Sequence, residues 1–148
     1  MKFKFPFDHV LEFRKQNENL ARLDYTESVD KLEKEKAHLK KLYAEWDGAS
    51  DEIFSLQSEK STPLARIIYL NDFLDGQKLR IDHQKLVVRN LTQIAEQKHE
   101  ILIAAVKEFE IIAKLKKNKQ AIFKKQESKR EAKVMDEVVV TRYRRGGL

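Results

Sequence analysis

The sequence predicts an all-α protein, a long two-helix antiparallel coiled-coil hairpin with a projecting C-terminal helix end, and three observations predict it. One seam runs Ile67, Leu70, Leu74, Gln77, Ile81, Gln84, Val88, Leu91, Ala95, Lys98, Leu102, Ala105, Phe109, Ile112. Steps of alternately three and four residues keep these side chains on one face of a supercoiled helix, which then needs a partner helix along the whole run. The composition agrees, because 36% of the 148 residues are charged and two Pro and four Gly offer few turn signals. The prolines also stand where helices begin: Pro6 near the start, and Pro63 behind the cap candidate Ser61-Thr62.

A first helix is therefore expected from about residue 6 to 58, a tip at about 59–62 and a second helix from about 63 to 143, together one coiled-coil domain over 1–148. At ~1.5 Å per residue the helices reach ~75 Å and ~120 Å, so the second outruns the first and projects from about residue 113. The long seam ends near the same place, at Ile112. That agreement favours a hairpin, although a second copy of the chain could equally complete such a seam.

The first helix has a seam of its own, clearest at Tyr25, Val29, Leu32, Lys36, Leu39, Tyr43, Trp46, Ser50 and Ile53. Upstream, Val10, Phe13, Asn17 and Leu20 follow the spacing in a shifted frame, so the stripe is expected to drift between the two segments. Asp47-Gly48 is a turn signal, and Ser50 before Asp51 and Glu52 could cap a new helix. Because Ile53, Phe54 and Leu56 continue an apolar face, a kinked but continuous first helix is expected; the alternative is a three-part tip between Trp46 and Pro63.

Charge is unevenly distributed. From Lys114 to Leu148 twelve basic residues stand against four acidic ones, a net of +8 in a chain whose total is +6. Such an end is steered towards an acidic surface, with an effect screened over a Debye length of ~8 Å. A nucleic-acid role is disfavoured, since only Phe123 and Tyr143 supply aromatic rings there. With no cysteine, disulfides and thiolate metal sites are excluded, which fits a reducing compartment. Met1 to Phe7 has no signal-peptide pattern, no apolar run approaches a spanning helix, and a cytoplasmic protein is expected.

Apolar side chains also lie off the seam. Ile68, Leu79, Leu86 and Val87 are among them, and Tyr69, Phe73, Gly76 and Arg80 at i, i+4, i+7 and i+11 form a face of their own. Either the tip folds back over them or they form a docking patch. Gly76 inside a helix costs roughly 1 kcal/mol against Ala, which is easier to understand if something approaches the backbone there. No enzyme, metal site or cofactor is expected: His9, His38, His83 and His99 have no partner at ligand spacing, and no phosphate-cradling or nucleophile motif occurs.

The two ends then suggest a family. Phe3-Lys4-Phe5-Pro6-Phe7, Val10-Leu11, Arg14 and Glu18 resemble the start of the flagellar export protein FliJ family, which opens on aromatics, a Val-Leu step, an Arg and a Glu/Ala-rich helix. Lys114-Leu115, Arg130-Glu131, Asp136-Glu137 and Arg142 are similar to its far end, and Tyr69-Leu70, Phe73-Leu74 and Gln77 to the start of its second helix. The resemblance covers essentially the full length. It implies a stalk-like antiparallel coiled coil, monomeric when free, that sits in the hexameric export ATPase, contacts the transmembrane export gate and escorts export chaperones. It also implies a position peripheral to the inner membrane at the flagellar base, with no membrane insertion and no nucleic-acid partner. Carried over residue by residue, Phe7, Leu11, Arg14, Arg130, Glu131, Asp136, Glu137 and Arg142 would bind the ATPase, and Tyr69, Phe73, Gly76 and Arg80 the gate. Val138-Val139-Val140 departs from the family's polar helix end and could close the tail as a short strand.

Two other classes compete with this reading. A basic coiled-coil scaffold would contact nucleic acid or anionic membrane and show steep salt dependence. A prefoldin-like holdase would need strands, and no alternating pattern appears between Trp46 and Ile67.

Overall fold

A computed structural model describes residues 2–59 and 63–146, and two helices make up nearly all of it: α1, Asp8–Gln57, and α2, Leu64–Gly146. Pro6 precedes α1, whose first turn is prepared by Asp8 N–H donating to the Phe5 carbonyl (3.3 Å). Asp8 in that turn and Arg144 and Arg145 in the last turn of α2 each complement the helix dipole. The Pro63 carbonyl accepts from Arg66 and Ile67 N–H (3.0 and 3.2 Å) and so starts α2. The proposed cap at Ser61-Thr62 lies outside the described residues.

α1 passes through Asp47-Gly48 without a break, and Gly48 has nothing within 4 Å of where a Cβ would stand. Val138-Val139-Val140 does not form a strand: α2 continues through it to Gly146. Three β-branched residues each cost a helix about half a kcal/mol, too little to stop one already 70 residues long.

The chain packs as two compact units, Met1–Asn19 with Ile103–Leu148, and Leu20–Leu102. Within Leu20–Leu102 the helices run antiparallel, since Arg66 meets Glu52, Gln77 meets Leu42, Gln84 meets Glu35 and Lys98 meets Asp24. Its core includes Leu32, Leu42, Ile67, Leu70 and Ile81. In the other unit the same antiparallel order holds, with Arg14 paired to Glu108 and Lys116 to Asp8 (3.0 Å). There the segment before α1 is also packed: Phe5 is buried, edge-on to Phe7, and Phe3 stacks at 5.5 Å on Phe123.

Every residue of the predicted α2 seam is buried or half-buried. On α1 the expected stripe coincides with the seam at Tyr25, Leu32, Leu39, Trp46 and Ile53 and is off by one between them, and all along the upstream segment. Phe13 and Leu20 are 60% and 62% exposed, and Lys36 and Tyr43 are also exposed. The unbroken seam is Leu11, Arg14, Glu18, Ala21, Tyr25, Ser28, Leu32, Glu35, Leu39, Leu42, Trp46, Ala49, Ile53 and Leu56, and the expected Val10, Asn17, Val29 and Ser50 are half-buried beside it. The seam's alternation of three and four never slips, so no drift of frame occurs. Larger apolar neighbours, Leu20, Val29 and Phe13, pull the expected stripe off Ala21, Ser28 and Arg14. The seam is small again at Ala49 and polar at Glu18 and Glu35. Small residues let a facing helix approach closely, and polar ones are tolerated because their heads find partners or reach the margin.

Two glutamines sit in the α2 seam. Gln77, fully buried, donates from Nε2 to the Leu42 carbonyl (2.9 Å) and to Glu45 Oε2 (3.1 Å), while its Oε1 accepts from Arg80 Nε (2.8 Å). Gln84 repeats the arrangement one heptad on, donating to the Glu35 carbonyl (3.0 Å) and carboxylate. A buried polar seam residue selects register at some cost in stability. Chemical denaturation should therefore show Gln77→Leu equal to or up to about 1 kcal/mol above wild type, because its partners are a helix carbonyl and two solvent-exposed groups. Gln77→Ala, which also empties the seam, should lose about 2 kcal/mol.

Candidate docking surfaces

The face predicted to meet a gate protein lies entirely in the unit Leu20–Leu102, on the first turns of α2. Tyr69 is 60% exposed, with the Arg66 guanidinium 5.2 Å from its ring. Arg66 is in turn held by the Glu52 carboxylate of α1 through two hydrogen bonds (2.9 and 3.2 Å). One helical turn further, the Arg80 guanidinium stacks over Phe73 at 5.5 Å while its Nε holds Gln77. The four predicted residues are thus on one strip, and the structure adds Arg66 and Glu52 to it, with the buried Gln77 supporting Arg80 from beneath. Arg66 and Glu52 escaped the sequence reading because their pairing depends on which α1 turn faces which α2 turn.

The strip is open. Phe54, Leu64 and Ile68 are also exposed, so among the described residues no folding back of the tip covers it. Electrostatically it is an arginine–aromatic surface, with each cation stacked on a ring where it can still face a partner. Glu52, by hydrogen bond and then by charge, holds Arg66 above its ordinary range, and Tyr43 does the same for Lys85. A pKa raised on folding stabilises fully below the unfolded value and is lost only as pH rises through the folded one. For Arg66, whose partner is a carboxylate, that contribution is complete at neutral pH and disappears only in strong alkali.

Gly76 lies in the middle of this strip. A Cβ built there would stand 3.4 Å from Arg80 Nη1, the flexible end of a side chain, and nothing else comes as close. The fold does not require glycine at 76, so its helix penalty is not repaid by packing within the chain. Gly76→Ala should raise the thermal midpoint, by an amount equivalent to about 0.5–1 kcal/mol. A fall in the midpoint would show that Arg80 cannot yield.

The residues predicted to bind an ATPase all lie in the other unit, but the structure brings them together only in part. Phe7, Leu11 and Arg14 line the start of α1 beside α2, where Leu11 borders a shallow depression with Asp8, Lys15 and Phe109. Lys15 Nζ caps the Phe109 ring at 5.0 Å. From Lys116, the partner of Asp8, α2 runs on for ~21 Å before Arg130, so the α2 residues form a separate group. Within that group Glu131 and Arg142, eleven residues apart, share a face with Val134, Met135 and Val138, and Arg130 and Glu137 share another. Asp136 points away from Glu131 and Arg142. All five charged residues are exposed, as is α2 beyond Glu127.

Among the described residues no group of three or more His, Asp or Glu could hold a metal ion, and no helix is long and apolar enough to cross a membrane. His99 is stacked on Tyr25 at 5.1 Å. The candidate sites are open surfaces along the two helices. The protein family described as flagellar FliJ protein matches residues 3–148. The chain matches no curated protein and no solved structure.

Proposed function

The chain belongs to the flagellar FliJ family of export components, and from that membership we propose that it acts as a stalk between the hexameric export ATPase and the transmembrane export gate, and escorts export chaperones. The observation that supports this division is that the two candidate surfaces fall in different compact units. The aromatic strip at Tyr69 and Phe73 belongs to Leu20–Leu102, and the ATPase set to Met1–Asn19 with Ile103–Leu148.

In this reading the +8 stretch from Lys114 to Leu148 is steered into an acidic ring opening. There Arg130, Glu131, Asp136, Glu137 and Arg142 contact the subunits, with Phe7, Leu11 and Arg14 at the margin. A ligand that binds only the assembled hexamer favours assembly by mass action, so ring formation and turnover rise together. The Tyr69, Phe73, Gly76 and Arg80 strip meets the gate, placing the protein at the inner membrane without entering it.

ATPase turnover and hexamer formation, measured with and without this protein, should both increase as it is added; equal values at every concentration would rule out the activating role. Tyr69→Ala should weaken gate binding by at least tenfold, the loss of an exposed aromatic hot spot, while circular dichroism and ATPase activation stay at wild-type levels. If activation falls in step with gate binding, the assignment of the two surfaces to separate partners is wrong.

A further inference from the structure

We propose that the face of α2 turned away from α1 in the unit Met1–Asn19 with Ile103–Leu148 is a binding surface for anionic phospholipid. Lys107, Lys114, Lys125, Lys129 and Lys133 all lie along it. On the same line stand Ile111, Ile122, Val140 and Tyr143, which are 66%, 53%, 51% and 81% exposed. Steps of three and four residues carry this line from 107 through 118 and 136 to 143 at an average of about 3.6, the period that keeps a stripe straight on one helix. The residues of α2 buried or half-buried in this unit, Ala105, Phe109, Ile112, Lys116 and Phe123, lie on the opposite side.

Three features make this face more than a solvated helix side. None of its five lysines forms an ion pair among the described residues, whereas Lys116, on the covered side, is held by Asp8. Asp136 is the acidic residue on the line itself, with Glu110 and Glu137 at its margins; Glu127 and Glu131 lie towards the covered side. Large apolar side chains recur between the cations, where solubility alone would favour polar ones.

That mixture selects the ligand. A helix tracking a phosphodiester backbone needs the lysines but gains nothing from exposed isoleucines, which would remain in water. At a bilayer both are used: the apolar side chains enter the boundary below the headgroups, and the lysine stems cover apolar surface while their ammonium groups reach lipid phosphates. The helix lies on the membrane and does not span it. Asp136 is on this line, whereas Arg130, Glu131, Glu137 and Arg142 are off it. A helix enclosed in the ATPase ring cannot also lie on a bilayer, so membrane binding belongs to the protein outside the ring.

Full-length protein should co-sediment with mixed phosphatidylglycerol–phosphatidylcholine vesicles, much less with phosphatidylcholine alone, and less as salt rises. At roughly fivefold per lysine near an anionic surface, joint substitution of Lys114, Lys125, Lys129 and Lys133 by Gln should lower partitioning at least ~100-fold. The pair Ile111→Ser and Ile122→Ser, which keeps every charge, should also lower it about tenfold or more. Circular dichroism of each variant checks that the helix persists. Equal binding to both vesicle types, retention of binding in the lysine variant, or an undiminished affinity in the isoleucine variant overturns the proposal. Tighter binding to duplex DNA than to the mixed vesicles, at equal salt, assigns the face to nucleic acid and overturns it too.

Discussion

Two amide side chains align the helices of Leu20–Leu102, and the candidate gate surface depends on that alignment. Gln77 and Gln84 each reach across the seam to a backbone carbonyl of α1. An apolar seam alone is indifferent to sliding by a heptad, because one Leu layer resembles the next. A carbonyl recurs on every turn and satisfies a buried amide wherever it stands, so the favoured pairing is marked by the carboxylates beside the two amides, Glu45 for Gln77 and Glu35 for Gln84. That pairing brings Glu52 to Arg66 and Glu45 to Gln77, and through Gln77 it positions Arg80 over Phe73.

The hairpin was legible in the sequence chiefly through α2. Its seam contains enough Leu, Ile and Val that hydrophobic periodicity picks the covered face outright, and even Gln77, Gln84 and Lys98 fall on it. α1 shows the limit of the same method. Its true seam uses Arg14, Ala21 and Ser28, while Phe13, Leu20 and Val29 stand one residue aside and outweigh them on any hydrophobic count. Only the facing helix reveals which of two adjacent columns is covered. The valine run stays helical, as a second helix to about residue 143 requires, since local strand preference is weak beside the cooperativity of a helix that has already formed.

Of the candidate surfaces, the Tyr69 strip was readable because i, i+4, i+7, i+11 spacing needs nothing but helicity. The ion pair that braces it was not, because Arg66 and Glu52 meet only across the hairpin. The ATPase set shows the opposite problem. Motifs at both ends of the chain looked like one site, yet the antiparallel register sets Arg14 beside Glu108, far short of Arg130 along α2. The packing of Phe3 on Phe123 was likewise invisible before the fold, though a chain that opens with Phe at positions 3, 5 and 7 hints at an anchored start.

Because the seam glutamines reach main-chain oxygens at Leu42 and Glu35, those two bonds would outlast a change of side chain at either position. They satisfy the amides without telling one turn of α1 from the next. Discrimination comes from the carboxylates that flank the carbonyls, Glu45 and Glu35. Comfort and address are thus supplied by different atoms of the same helix: the main chain makes a buried amide tolerable anywhere along the seam, and two acidic side chains say where it belongs.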